Sequence, residues 1–127
     1  MRTIRQFLDD PRLFPSLRSI EPSRPHRVVA GLDGSAPAVA VALRHIARGN
    51  QARTLVLASD AREVERLRDD LGALLGDDAI LPFPTLELKP YEWRRPFGAA
   101  LESRLTTLDA LRRPGPALVV ATHAAFG

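Results

Sequence analysis

Arg27-Val-Val-Ala-Gly-Leu-Asp-Gly-Ser-Ala-Pro-Ala38 is the stretch on which the reading of the fold turns. Four residues with β character run into Gly31 and Gly34, and Ser35 then opens an amphipathic segment, so the order is strand, turn, helix. That is the order of a phosphate-binding loop, G-x-x-x-x-G-K-[ST]. Such a loop needs its second glycine for close backbone approach, its lysine for the outer phosphates and its hydroxyl for Mg²⁺. Counted from Gly31, those three positions hold Ala36, Pro37 and Ala38. Pro37 also removes a backbone N–H that a phosphate would use. The stretch therefore reads as the architecture of a nucleotide site without its chemistry.

Downstream, the apolar pattern alternates between two periods. Val39, Leu43 and Ile46 share a helical face after Ser35, which stands at the N-cap position, and Gly49 and Asn50 end that helix. His45 falls on its polar side. Arg53 to Ala58 is near-continuously apolar, as a strand covered on both faces would be. Asp60 and Glu63 form a capping-box-like pair ahead of a stripe of Val64, Leu67, Leu71 and Leu74, and Gly76 stops that helix. Ala79 to Phe83 is a short strand that Pro82 and Pro84 confine to a sheet edge or a strand end. A third helix, from about Phe97 to Arg113, sets Phe97, Leu101, Leu105, Leu108 and Leu111 on one side. Ala117 to Thr122 is the last strand. Strands alternating with helices imply right-handed crossovers, a parallel sheet and helices on both faces. The expected order puts the last strand between the first and second, with the proline-bounded third at the edge.

Residues 1–25 read as a helical arm and linker. Ile4, Phe7, Leu8, Leu13, Phe14, Leu17 and Ile20 form short amphipathic pieces interrupted by Pro11 and Pro15, and the arm is expected to pack on the domain formed by residues 26–127. The 127 residues, 45% hydrophobic and 26% charged, suit one globular domain or part of one. No apolar run reaches the roughly 18 residues needed to span a bilayer, and the start lacks a signal-peptide core. With no cysteine, disulfides and thiolate metal sites are excluded, and a cytoplasmic protein is the simplest reading. The net charge of +3 comes from 18 Lys and Arg residues, of which only Lys89 is lysine, spread without a basic block.

Over nearly the whole length these residues resemble the extreme N-terminal segment of the bacterial transcription-repair coupling factor. The likeness runs through Gly31-Leu32-x-Gly34-Ser35-Ala36, Thr54 to Ala58, then Glu63, Arg66, Leu67, Asp70 and Leu71. It continues through Phe83-Pro84, Pro90-Tyr91-Glu92, Arg104-Leu105 and Val119 to Thr122. That segment is similar in turn to the first subdomain of excinuclease B, whose phosphate loop is intact. The resemblance implies a three-layer P-loop NTPase-like (RecA-like) partial domain with a degenerate Walker A loop at Gly31, Gly34, Ser35, Ala36, Pro37 and Ala38.

By the same resemblance the parent protein is an ATP-dependent DNA translocase that acts on stalled RNA polymerase and recruits excinuclease A. ATP and Mg²⁺ belong to its downstream motor domains, so this segment is expected to be neither an enzyme nor a cofactor binder. Its expected partners are other domains of the parent chain. The chain is expected to be a piece of a longer protein, with apolar surface that could drive self-association.

Two further readings stand beside this one. Val28 to Ala47 also resembles the first strand and helix of universal stress proteins, small nucleotide-binding modules in which an Asp-Gly-Ser turn lies near a bound adenine. Asp33 and Ser35 would then contact a nucleotide. The glycine-rich phosphate loop those proteins carry after their fourth strand has no counterpart before Gly127. The alternative for Asp33 is a turn residue whose carboxylate bonds nearby N–H groups, and for Ser35 a helix cap.

The other reading is contact with DNA through Lys89, Tyr91, Glu92, Trp93, Arg94 and Arg95, where aromatics interleave with cations. Against it stands a loop anchored on the core by Tyr91 and Trp93. His26, His45 and His123 show no metal-ligand spacing, and no Ser-His-Asp or paired-carboxylate set can be assembled.

Overall fold

A computed structural model of the chain describes Leu8, Asp10, Arg12, residues 28–86 and residues 98–126. Its elements are α1 (Ala36–Ala47), β1 (Arg53–Ala58), α2 (Ala61–Leu75), β2 (Ile80–Pro82), α3 (Gly98–Arg112) and β3 (Ala117–Thr122). The strands form a parallel sheet in the order β1-β3-β2, which with its helices is a Rossmann- or P-loop-like α/β arrangement. Arg53 lies opposite Ala117 and Ile80 opposite Leu118.

The central strand explains the architecture. Ala117 to Ala121 are buried without alternation, which requires cover on both faces. On one face Leu118 and Val120 join Ala58, Ile80, Leu67, Leu71, Ala38, Ala42 and Leu43 in the core under α1 and α2. Leu8, from the N-terminal segment, is 2% exposed in that same core and ties its part of the chain to the domain. Ile4, Phe7, Leu13, Phe14, Leu17 and Ile20 lie outside the described residues.

α3 runs along the opposite face and meets the sheet at β2. The Thr107 hydroxyl donates to the Pro82 carbonyl, and Arg104 Nε donates to the Pro84 carbonyl at 2.7 Å. Arg53 fixes the other end of α3: its Nη1 and Nη2 reach the Leu111 and Arg113 carbonyls at 3.1 and 2.6 Å. A cation on these terminal carbonyls satisfies acceptors that the helix leaves unpaired.

Local signals act where the chain suggests. Asp60 Oδ1 accepts the Glu63 N–H at 2.8 Å, while Glu63 Oε2 accepts both the N–H and the hydroxyl of Ser59, at 2.7 and 2.6 Å. The return bond of this capping box thus goes one residue ahead of the N-cap. Gly76, at φ +96, ends α2 in a backbone conformation that side chains rarely adopt. β2 is the edge strand and its Pro82 sits at its end.

Four expectations are corrected. Val28 to Ala30 form no strand; Val28 is 87% exposed, and the segment pairs with nothing described. β3 has only two edges, and β1 and β2 occupy both. The last strand therefore lies between the expected second and third strands rather than between the first and second. Val39, Leu43 and Ile46 of α1 pack in or against the core as expected, and Ala38, Ala42 and His45, spaced i, i+4, i+7, are buried beside them. The third correction is His45, which lies in the interior instead of on a polar side. Its Nδ1 lies 2.7 Å from Thr54 Oγ1, which satisfies a buried polar group.

The fourth correction is α3, whose leucines share one side but are only partly covered. Leu101, Leu105 and Leu108 are 41–56% exposed, Leu111 is half-buried, Phe97 lies outside the described residues, and Thr107 is the buried residue of this helix. Hydrogen bonds from Thr107 and Arg104 tie it to the β2 end of the sheet. Replacing Leu118 with alanine is expected to cost about 3 kcal/mol in urea unfolding. Leu105→Ser should change stability by less than about 0.5 kcal/mol, as a surface substitution does.

Candidate functional site

In open parallel sheets ligands bind beyond the carboxyl ends of the strands. Two features of this protein belong to that region by sequence or by position: the loop that opens α1, and a crevice beyond β2 and β3.

Gly31 and Gly34 have φ of +81 and +59, and nothing stands within 4 Å of where a Cβ would be, so the glycines serve conformation rather than clearance. The Asp33 carbonyl accepts the Ala36 N–H at 3.1 Å, closing the turn, and the Ser35 carbonyl accepts the Val39 N–H at 3.1 Å. The turn is thus held by the Asp33 backbone, whereas the sequence suggested its carboxylate.

Ser35 occupies the N-cap position but makes no side-chain cap bond. Its backbone is already helical, at φ −86 and ψ 0, where a capping residue is normally extended. The next residue but one is Pro37, which offers no N–H at all.

What remains for an anion can be counted. Of the first three helical residues, Ala36 has spent its N–H on the turn, Pro37 has none, and only Ala38 keeps one free. Ala38 stands where the motif places its Mg²⁺-binding hydroxyl, and its side chain is 1% exposed, packed in the core. A phosphate needs several convergent N–H groups and a cation. Ala36 to Ala38 together supply one free N–H, and the lysine of the motif is missing. Asp33 and Ser35 are both exposed, and neither lines the crevice described next.

The crevice has a volume of about 240 Å³ and is lined by Ala61, Val64, Arg68, Phe83, Thr85 and Thr122, among others. Thr85 Oγ1 and Thr122 Oγ1 are hydrogen-bonded across it at 3.0 Å, and Arg68 Nη1 lies 3.7 Å from Glu65 Oε1. Small-molecule sites usually run from about 300 to 1,000 Å³, so the space is small for a nucleoside triphosphate. Its hydroxyls bond each other, and among the described residues no base is bonded to either to make a nucleophile. Among the described residues no group of three His, Cys, Asp or Glu side chains is placed to hold a metal ion. His123 is exposed beyond the end of β3 and lies in none of these arrangements.

The opposite face carries an apolar groove of about 270 Å³ between α3 and the sheet, with Leu55, Leu108, Val119 and Phe126 in its wall. Phe126 stacks on Phe83 at 5.0 Å between ring centroids, and the Arg104 guanidinium lies 4.4 Å from the centre of the Phe83 ring. Sequence reasoning missed this groove. Its signal was the outward alternation of Leu55 and Leu57 in a strand read as covered on both sides. The loop residues Lys89, Tyr91, Glu92, Trp93, Arg94 and Arg95 lie outside the described residues, as does His26.

No family model, no curated protein and no solved structure matches this chain. Among the described residues no helix is long and apolar enough to cross a membrane.

Glu63 is the group whose proton affinity the site region shifts. Its carboxyl is held below the usual value of 4.5, chiefly by the Ser59 hydroxyl, then by the Ser59 N–H, with a smaller contribution from Arg66. A depressed carboxylate stabilises the fold above its unfolded value and loses that contribution as pH falls through its folded value. Glu63→Gln should therefore lower the urea midpoint at neutral pH, and the difference from wild type should fade as pH falls below the usual value of 4.5. For the loop, calorimetric titration with ATP and Mg²⁺ should give no micromolar binding, because backbone N–H groups alone do not replace the missing lysine and hydroxyl.

Proposed function

We propose that this chain is a non-catalytic α/β module of a bacterial transcription-repair coupling factor, the protein that couples stalled transcription to nucleotide excision repair. The observation that carries the reading is the start of α1. Gly31 and Gly34 make a left-handed glycine turn ahead of the helix, while Pro37 has no N–H and Ala38 packs in the core. A glycine turn with the motif's spacing but without its lysine and hydroxyl fits a segment descended from a nucleotide-binding subdomain like that of excinuclease B.

In this reading the module works by contact. ATP and Mg²⁺ act in the motor domains of the parent, a DNA translocase, and RNA polymerase and excinuclease A are partners of the parent as a whole. The module packs against neighbouring domains of the same cytoplasmic chain and helps keep the motor in check until polymerase is engaged. The half-exposed leucines of β1 and α3 supply apolar surface of the kind such packing uses. The same surface accounts for any self-association of the isolated chain.

The test is reconstitution. A bacterial coupling factor deprived of its own N-terminal segment should show ATPase activity independent of RNA polymerase, and adding this chain in trans should lower it. An unchanged rate at saturating chain concentration would remove the proposal.

A further inference from the structure

β1 is an outer strand. The order β1-β3-β2 leaves one of its edges without a strand among the described residues, and no backbone group among them is bonded there. Natural edges are usually blunted by proline, a bulge, an inward charge or a very short strand. β1 has six residues, Arg-Thr-Leu-Val-Leu-Ala, and none of those devices.

A cavity of about 300 Å³ lies along this edge, between the strand and α1. Residues of both strand faces line it, Thr54 and Val56 from one and Leu55 from the other, as only an open edge allows. Arg44 and Arg48 of α1 stand over it, and neither guanidinium has a partner among the described residues. On the opposite face Leu55 and Leu57 are 54% and 53% exposed.

We infer that the outer edge of β1 is a docking site for an extended peptide segment of another protein, in which acidic and apolar residues alternate. A strand added to β1 presents successive side chains to opposite faces. One face meets Arg44 and Arg48; the other extends the surface of Leu55 and Leu57. The spacings agree. Residues i and i+4 of a helix are separated by about 6 Å along its axis, and alternate residues of a strand by about 6.7 Å. Two carboxylates on alternate positions therefore come up beside the two arginines in register.

Other occupants fit less well. A second copy pairing β1 with β1 antiparallel would keep both sheets continuous and bring two α1 helices together on one face. Arg44 and Arg48 of each copy would then face their own kind, and like charges repel. A nucleic acid would satisfy the arginines but not the row of alternating N–H and C=O groups, which only another peptide backbone matches. The inference does not depend on the parentage proposed above, and binding here can fail without touching it.

The probe is a labelled peptide in which glutamate and valine alternate, titrated by fluorescence anisotropy. A peptide of the same composition with its charges in one block is the first control. The alternating peptide should bind more tightly than the blocked one, and the amides of residues 53–58 should gain hydrogen-exchange protection. The double variant Arg44→Glu, Arg48→Glu should bind about tenfold more weakly, the effect of turning two exposed attractions into repulsions. The same variant should prefer a peptide alternating lysine and valine, which shows that it is folded. Equal binding by the variant overturns the inference. So does protection outside β1, preference for a single-stranded oligonucleotide, or dimerisation through β1 in the absence of peptide.

Discussion

The burial of β3 on both faces is the constraint from which the rest of this structure follows. A strand of Ala-Leu-Val-Val-Ala-Thr has no polar side to give to water, so it must be central and roofed twice. Its two edges are then fixed resources. β1 takes one over its full length from Arg53 to Ala58, and β2 takes the other with only three residues, because Pro82 ends what it can pair. Val28 to Ala30 pair with none of these strands, and the loop they precede is held by its own turn and by α1.

How much of this was legible follows from which forces write themselves into sequence. The positions of β1, α2 and β3 were readable because apolar periodicity and the Asp60–Glu63 cap are local signals, and the structure realises each with its own hydrogen bonds. The lack of a strand at Val28 was not, because β character is a property of residues whereas pairing depends on tertiary context. The stripe of Val39, Leu43 and Ile46 was legible and packs on the core, but the burial of Ala38 and Ala42 beside it was missed, since alanine carries little hydrophobic weight. His45 lies on the side of those alanines, where Thr54 stands opposite to satisfy it.

α3 shows the converse. Its leucines are regular enough to predict a buried stripe, yet Leu101 and Leu105 are exposed and Leu108 and Leu111 only line a groove, while Arg104 and Thr107 bond the β2 end of the sheet. A helix held in that way leaves part of its apolar face, with Leu55 and Leu57 across the groove, as surface. Single exposed leucines are ordinary; several on one side of a small domain form the kind of apolar surface that interactions use.

The opening loop separates two things that a motif runs together. Its glycines take a left-handed backbone path, at φ +81 and +59. Its later residues offer little charge: the turn occupies one N–H, proline has none, and Ala38 packs as a methyl in the core. Backbone path and charge distribution depend on different atoms, so one can be present without the other. The interaction surfaces of such a domain then have to be sought elsewhere, on the faces and the edge that the sheet leaves uncovered.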